Sequence, residues 1–390
     1  MNKTMALDPG SQDSDRLLTK VALVHYWIVG QRGGEAVLDA LAGLFPSAAL
    51  FAHVIRENVL TPNLRRLERS TTFISRMPFA EQLYRLYLPL MPLALEALDV
   101  NDYDLIISSE AGPAKWIIPR PDAVHICYCH SPLRYIWDQR GIYEKNIPAL
   151  LRPLGLFYGS HLRKSDALSS LRVDHFVANS NYVAARINKY YRRDSYVVHP
   201  PVRLDFFNAE AAPEDFYLIA GEIRGYKKID HAIRACIKLN RKLVVIGGGE
   251  DGKLRAIASP LIDFRGRVSS EELRDTLSRC RALLFPGVED FGIVPVEAMA
   301  SGRPVIAYGH GGAVDTVVHG ETGILYNDPS VEGLVDAMRL FERNEQSFSP
   351  RVCVEHAQKF SPQKFRDNML SIVSESLKDD RRGQFHRFSA

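Results

Sequence analysis

The chain has 390 residues, long enough for two domains that each bury a substantial core. Hydrophobic residues make up 46% and charged residues 24%, and the net charge is +3, an ordinary globular composition without the concentrated basic excess of a nucleic-acid binder. No run reaches roughly 18 uninterrupted apolar residues, so no segment is read as a membrane span.

The N-terminal stretch MNKTMALDPGSQDSDR is polar and acidic, and lacks the basic start and apolar run of a secretory signal. VALVHYW (21–27) is the first predicted strand. It leads into Gly30, Gly33 and Gly34 ahead of a helix predicted over 35–44, and glycines there permit a tight turn and close approach to a phosphate or sugar. The spacing is not G-x-G-x-x-G, which argues against a nicotinamide cofactor. Residues 76–99, RMPFAEQLYRLYLPLMPLALEALD, are dense in Leu, Tyr, Met and Pro. They read either as a core helix pair or as an interfacial segment with apolar side chains in lipid and arginines at the headgroups. A second basic and apolar stretch over 150–172 carries Arg152, Arg163, Lys164 and Arg172; two such stretches in one domain favour association with a membrane surface.

Strands are predicted over 105–109, 125–130 and 175–180. Cys127 and Cys129 alternate onto one face of the second of these, and C-x-C with no second pair is not the spacing of a zinc site. With Cys236, Cys280 and Cys353 they form a scattered set, expected to be reduced, packed thiols of an intracellular protein. His130 ends its strand, and Ser131 and Pro132 stop it at the edge where ligands of parallel sheets bind. Arg134, Trp137 and Asp138 follow, as sugar contacts or as packing. HPPVRLDFF (199–207), stiffened by two prolines, joins the halves. Short apolar strands alternating with helical patterns predict an α/β fold of two doubly wound, Rossmann-like domains facing a central cleft. The domains are placed at 17–198 and 206–365, the linker at 199–205, and a C-terminal helix and tail at 366–390, with the final KDDRRGQFHRFSA disordered.

Beyond the linker, strands are predicted over 216–221, 242–248, 282–286 and 303–308. In GEIRGYKKID, Lys227 and Lys228, with Arg224 nearby, follow a strand end and supply cations for a diphosphate, unless they are an exposed pair at a helix start. Gly247, Gly248 and Gly249, followed by Glu250, again permit close backbone approach. LLFPGVEDFGIVPVEAMASGRPVIAYGHGG (283–312) is the most informative stretch. Pro295 suits the first position of a helix, Glu297 its first turn and Gly302 the position past its end. Glu289 and Glu297 then bracket a helix N-terminus, a natural anion site. Asp315 begins the next helix, where N-capping accounts for it as well as catalysis does. The pattern D-x-D, a common metal grip in sugar transferases, occurs at Asp13/Asp15 in the polar tail and at Asp102/Asp104, at the amino end of a strand and away from the ligand edge. No metal or other cofactor is therefore expected.

The E-x7-E of Glu289 and Glu297 sits within FPGVEDFGIVPVEAMASGRPVIA, and GGE (33–35), CHSPLRYIWD (129–138), ANSNYVAARI (178–187) and HPPV (199–202) accompany it. On these motifs the sequence resembles the retaining nucleotide-sugar glycosyltransferases of family four, which have the GT-B fold, over nearly the whole chain. Its N-terminal pieces are most similar to the mannosyltransferases of lipid-linked repeat-unit assembly, including those that use GDP-mannose and cellobiosyl-diphosphate-polyprenol in acetan and xanthan synthesis. The resemblance implies that Glu297 binds the donor ribose, Glu289 faces the transferred sugar, His130 lies beside that sugar, Lys227 binds the phosphates and Gly34 lies against the diphosphate. Glu289, His130 and Lys227 are the implied catalytic set, and Arg224, Gly248, Gly292, Ile293 and Val294 complete the donor site. One position departs from the family, which usually has Arg five residues before the Lys; here it is Glu222, with Arg224 as the candidate substitute.

The implied activity is transfer of α-mannose from GDP-mannose to a polyprenyl-diphosphate oligosaccharide in exopolysaccharide synthesis. The implied setting is cytoplasmic, peripheral on the inner face of the cell membrane. The partners are thus a nucleotide sugar, a lipid-linked acceptor and a membrane surface, with no nucleic acid. A UDP-sugar donor with another glycan acceptor is the alternative. A sugar-nucleotide epimerase, a phosphorylase and a non-catalytic binding protein are remoter ones.

Overall fold

VHICYC is near-continuously apolar and LIISSE opens on three apolar residues, the pattern of strands buried on both faces of a parallel sheet. Both are strands, and every residue of each is buried. The computed structural model describes residues 19–138, 141, 152–249 and 251–387, with side chains of the last helix described through residue 378. The chain divides into two units. One holds the chain up to Ala178, Arg186–Tyr196 and the last helix from Met369; the other holds Asn179–Ala185 and Val197–Asn368. Asn179–Ala185 thus groups with the second unit, although the boundary expected at 198 assigns it to the first.

The first unit is a seven-stranded sheet built from β1 (Val21–His25), β2 (Ala49–Ala52), β3 (Glu68–Thr71), β4 (Leu105–Glu110), β5 (Val124–Cys129), β6 (His175–Ala178) and β7 (Ser195–Val197). The strand order is β3-β2-β1-β4-β5-β6-β7, with parallel pairing from β3 through β6. Helix α1 (Gly33–Leu44) follows β1 and buries Val37, Leu38 and Leu41. Helices α2 (Arg152–Ser169) and α3 (Asn181–Tyr191) follow β5 and β6. The second unit is six-stranded, with β8 (Tyr217–Ala220), β9 (Leu243–Ile246), β10 (Ile262–Gly266), β11 (Leu283–Phe285), β12 (Val305–Tyr308) and β13 (Gly323–Tyr326) in the order β10-β9-β8-β11-β12-β13, all parallel. Helix α4 (Ile229–Leu239) buries Ile229, Ala232, Ile233 and Cys236 at helical spacing, and packs in one core with Leu334, Met338 and Phe341 of the helix Val331–Asn344. Each fully buried Leu, Ile or Phe contributes about 1.5–3 kcal/mol.

The predicted doubly wound architecture is therefore present in both units. Every predicted strand exists, and β2, β3, β7, β10 and β13 are additional. β3 is ERST, with no apolar residue, and only its place beside β2 makes it a strand. The final helix runs from Pro362 to Arg387, where a disordered tail is expected from residue 378; residues 388–390 lie outside the described residues, as do the tail containing Asp13 and Asp15, and Glu250.

Residues 76–99 are not a helix pair. Pro78, Pro89 and Pro92 break them into short turns of helix at Phe73–Arg76, Ala80–Leu83, Tyr84–Leu90 and Met91–Glu96. Ile74, Tyr84, Met91 and Leu95 face inward, whereas Phe79 is 74% and Leu86 69% exposed. In α2, Phe157 is 74% and Leu154 66% exposed, while Leu162 is buried. Residues 150 and 151 of the second basic stretch lie outside the described residues. Among the described residues no helix is long and apolar enough to cross a membrane. All five cysteines are buried, free thiols.

Candidate functional site

Ligands of doubly wound sheets bind beyond the carboxyl ends of the strands, where the strand order reverses. In the second unit that point lies between β8 and β11. The chain leaves β8 through Gly221, at φ +123°, a conformation that L side chains rarely adopt. A Cβ on Gly221 would stand 2.7 Å from Lys227 Nζ, so the glycine clears the space into which the lysine folds back over the strand end. There Nζ is 2.8 Å from Glu289 Oε1, supplied by the loop after β11. Gly287 lets the two loops touch, because a Cβ on it would stand 2.5 Å from Lys227 Cα. The Lys227 and Glu289 side chains, only 13% and 22% exposed, form a largely desolvated pair at the switch point.

The helix behind this pair, α5, spans Ile293–Ala300 with Gly292 as its N-cap at φ +87°. Pro295 is thus the third helical residue rather than the first, and Glu297 falls in the second turn rather than the first. Gly292 starts the helix early, and proline is tolerated throughout a first turn whose N–H groups have no intrahelical acceptors. The amides of Ile293 and Val294 are among those unpaired donors, so the N-terminus keeps its anion-binding character. Gly302, at φ +72°, lies just past the helix as expected.

Burial pushes the Glu297 carboxyl up to about 7 from its ordinary 4.5, with Arg203 partly opposing. A carboxyl raised in the folded state contributes stability that is full below its unfolded value and is lost as pH rises through the folded one. Glu297→Gln should therefore melt above the wild type at pH 8 and converge with it near pH 5. Parallel melting curves at both pH values would show that the carboxyl titrates normally.

Arg224, the candidate substitute for the family arginine, holds Glu222 at 2.6 Å on an exposed surface. Lys228 starts α4 from a left-handed conformation, at φ +53°. Gly248 is needed for a different cation: a Cβ there would stand 2.3 Å from Arg267 Nε, so Arg267 lies across the glycine turn. Arg267 follows Gly266 at the end of β10, a strand whose alternating pattern, IDFRG, is the signal that would have located it. Asp315 does not cap its helix, Ala313–Thr316, whose N-cap is Gly312. Its carboxylate instead accepts from Asn181 N at 2.7 Å and Asn181 Nδ2 at 2.8 Å.

In the first unit the order reverses between β1 and β4. Gly34 sits beside this edge, and a Cβ on it would meet the Tyr26 hydroxyl at 2.4 Å. His130, just past β5, places Nε2 2.8 Å from Ser109 Oγ, and Ser109 Oγ lies 3.1 Å from His25 Nδ1. No sequence signal marks His25, the single polar residue of VALVH, or Ser109, which lies between Ser108 and Glu110 in LIISSE and belongs to no motif. Trp137 and Asp138 spend their polar groups inside the protein: Trp137 Nε1 donates to Asp166 Oδ2 at 2.7 Å, and Arg186 pairs with Asp138 at 2.7 Å. Behind them Lys115, fully buried, holds Glu110 at 2.6 Å and also pairs with Asp166. Asp104 stands at the amino end of β4, where it accepts from Lys20 N at 2.8 Å and Arg120 Nη2 at 2.6 Å.

Residues 32–206 match the family described as Glycosyltransferase Family 4, and residues 203–362 match Glycosyl transferases group 1. The chain belongs to the family 4 glycosyltransferases of GT-B fold. It is 29% identical over 235 residues to a D-inositol 3-phosphate glycosyltransferase of Mycolicibacterium smegmatis, covering 53% of this chain and 54% of that one. A protein of the same name from Mycobacteroides abscessus is 31% identical over 236 residues, covering 54% of this chain and 51% of that one. The chain thus spans about half the length of the curated relatives it matches. The fold is shared with sucrose-phosphate synthase from Thermosynechococcus elongatus, at a TM-score of 0.69 and 17% identity over 92% of this chain and 98% of that one. It is shared as well with Anabaena HepE in complex with UDP and glucose, at 0.66 and 13% over 92% and 100%. In this family 4 glycosyltransferase both switch points therefore carry polar side chains, an ion pair in the second unit and a His–Ser–His chain in the first.

Proposed function

We propose that this family 4 member is a retaining hexosyltransferase that moves α-mannose from GDP-mannose to a lipid-linked, polyprenyl-diphosphate oligosaccharide in exopolysaccharide synthesis. The observation that carries the transferase reading is the Lys227–Glu289 pair at the switch point of the second unit, beside the N-terminus of α5. A leaving nucleoside diphosphate gains negative charge, and Lys227 with the amides of Ile293 and Val294 would stabilise it. Drawing Lys227 onto phosphate leaves the Glu289 carboxylate facing the sugar carbon, where positive charge develops. The acceptor hydroxyl attacks from the face the diphosphate leaves, and the β-phosphate takes its proton. Glu297 binds the ribose, and His130 lies beside the sugar. The mannosyl and polyprenyl assignments draw on the resemblance of the N-terminal motifs.

The names of the relatives favour a second reading, an inositol phosphate as acceptor, and the UDP-bound neighbour favours a uracil donor. The experiment offers GDP-mannose, UDP-glucose and UDP-galactose in turn, with native lipid extract or with inositol 3-phosphate, and measures nucleoside diphosphate release and product anomer. GDP-mannose with lipid extract should give the highest rate and an α-linked product. A preference for a uracil donor overturns the mannosyl reading, and turnover only with inositol phosphate overturns the acceptor.

The lipid acceptor calls for a membrane surface, and the exposed Phe79, Leu86, Leu154 and Phe157 in the first unit, with Arg76, Arg85, Arg163 and Lys164 on the same segments, are suited to one. Each cation near anionic headgroups is worth about 1 kcal/mol. The protein should sediment with phosphatidylserine vesicles at low salt, and Phe79→Ser with Phe157→Ser should release it. A protein left in the supernatant at low salt overturns peripheral binding.

A further inference from the structure

His25 and Ser109 face each other across the β1–β4 pair at the switch point of the first unit, and both are fully buried. Ser109 Oγ links two imidazoles, at 3.1 Å from His25 Nδ1 and 2.8 Å from His130 Nε2. His25 Nε2 is buried and has no hydrogen-bond partner among the described residues. Two proton arrangements fit these distances and also give the buried Ser109 hydroxyl proton an acceptor. In one, His130 Nε2–H donates to Ser109 and Ser109 donates to His25 Nδ1, which forces the His25 proton onto Nε2, a buried N–H with no acceptor. In the other, His25 Nδ1–H donates to Ser109, Ser109 donates to His130 Nε2, and only a bare lone pair is left buried on His25. Orphaned buried N–H groups are rarer than under-used acceptors, and a buried donor left unsatisfied costs about 1–3 kcal/mol. The second arrangement wins.

We propose that His25 and Ser109 are positioning residues that fix His130 as its Nδ1–H tautomer, so that His130 meets the transferred sugar as a hydrogen-bond donor of set orientation. This rests on the reading of His130 as a residue beside that sugar. An imidazole held at one nitrogen has a defined tautomer and ring orientation, and for metal-binding histidines losing such a partner costs about tenfold or more, the scale expected for His130. His25 is suited to the holding role. Burial, followed by its neighbour His130, keeps its pKa well below the ordinary histidine range, so it stays neutral and the order of donors is preserved.

The test uses the full chain with ¹⁵N-labelled histidine, the His130 signals being identified by their loss in His130→Ala. At pH 8 wild-type His130 should be protonated at Nδ1. Ser109→Ala should shift the proton towards Nε2 and lower kcat about tenfold, with the donor KM within about twofold. His25→Ala should do the same. His25→Asn, whose amide N–H replaces Nδ1–H, should keep the tautomer and keep kcat within about threefold, a rescue that simple loss of packing would not give. Should Ser109→Ala not fold, His25→Ala and His25→Asn carry the same readouts. A wild-type His130 protonated at Nε2, or a tautomer and kcat indifferent to both Ser109→Ala and His25→Ala, overturns the proposal. Wild-type transfer by His130→Ala would instead overturn the role of His130 itself, with the tautomer measurement still deciding whether the chain orients the ring.

Discussion

Glu289→Ala is expected to lower transfer at least a hundredfold while leaving donor binding near the wild-type level. The carboxylate is held by Lys227 in a largely desolvated position, where an electrostatic contact counts for more than it does in water. One well-placed charged group opposite developing charge is worth about 3 kcal/mol, which is about a hundredfold in rate. The sign of the binding effect follows from the pair. Without Glu289, Lys227 has lost the carboxylate that competes with phosphate for it, so the nucleoside diphosphate should bind as well as before or better. Glu289→Gln keeps the volume and removes the charge, and should match the alanine variant if charge is what matters. Lys227→Ala should show the opposite pattern, with weakened donor binding as well as slowed transfer. Nucleoside diphosphate release at saturating donor, with calorimetric titration of the diphosphate, separates the two. Normal turnover by Glu289→Ala would sink the site.

Much of this arrangement was legible in the sequence because its signals are local. An apolar run followed by Gly, Pro or His marks a strand end, and in a parallel sheet a strand end is a ligand edge. That logic places Lys227, Glu289 and His130 beyond carboxyl ends of strands from spacing alone. It fails where a residue owes its meaning to a partner far along the chain. Ser109 is 84 residues from His25, and Asp166 is 51 from Lys115. β3 owes its existence to β2, since ERST has no pattern of its own. The start of α5 was placed late for a different reason: Pro295 is the more visible helix signal, yet Gly292, with its left-handed φ, sets the first turn.

Lys115→Met should destabilise the first unit by about 3–5 kcal/mol, because it leaves Glu110 and Asp166 without their shared cation. Burial alone would lower the Lys115 pKa; Asp166 and Glu110 together hold it above the ordinary lysine range, so the lysine is charged. Glu110 is raised by its own burial and opposed by Lys115, which marks how much of its ionisation the lysine supports. The remaining lone pairs are used: Glu110 Oε2 accepts from Lys115 N at 2.8 Å, and Asp166 Oδ2 accepts from Trp137 Nε1 at 2.7 Å and the Tyr191 hydroxyl at 2.9 Å. A unit of this size loses roughly 2–4 °C per kcal/mol, so the melting point should fall by about 6–20 °C. Trp27, Trp116 and Trp137 all lie in the first unit and are the only three tryptophans of the chain, so tryptophan fluorescence, excited selectively over tyrosine, follows that unit alone. The deficit should shrink as pH falls from 7 towards 5, since orphaned buried carboxylates titrate high and are lost as charges before their unfolded counterparts. The same substitution should reach the ligand edge. The Asp166 carboxylate holds Trp137, and the backbone N–H of His130 donates to the backbone carbonyl of Glu110 at 2.8 Å, so the loop that follows β5 hangs on the Asp166 side chain and on the main chain at Glu110. Loss of transfer below the melting transition, with diphosphate binding intact, would locate the damage there. A Lys115→Met protein that melts with the wild type would mean that the two carboxylates share a proton and the lysine is dispensable.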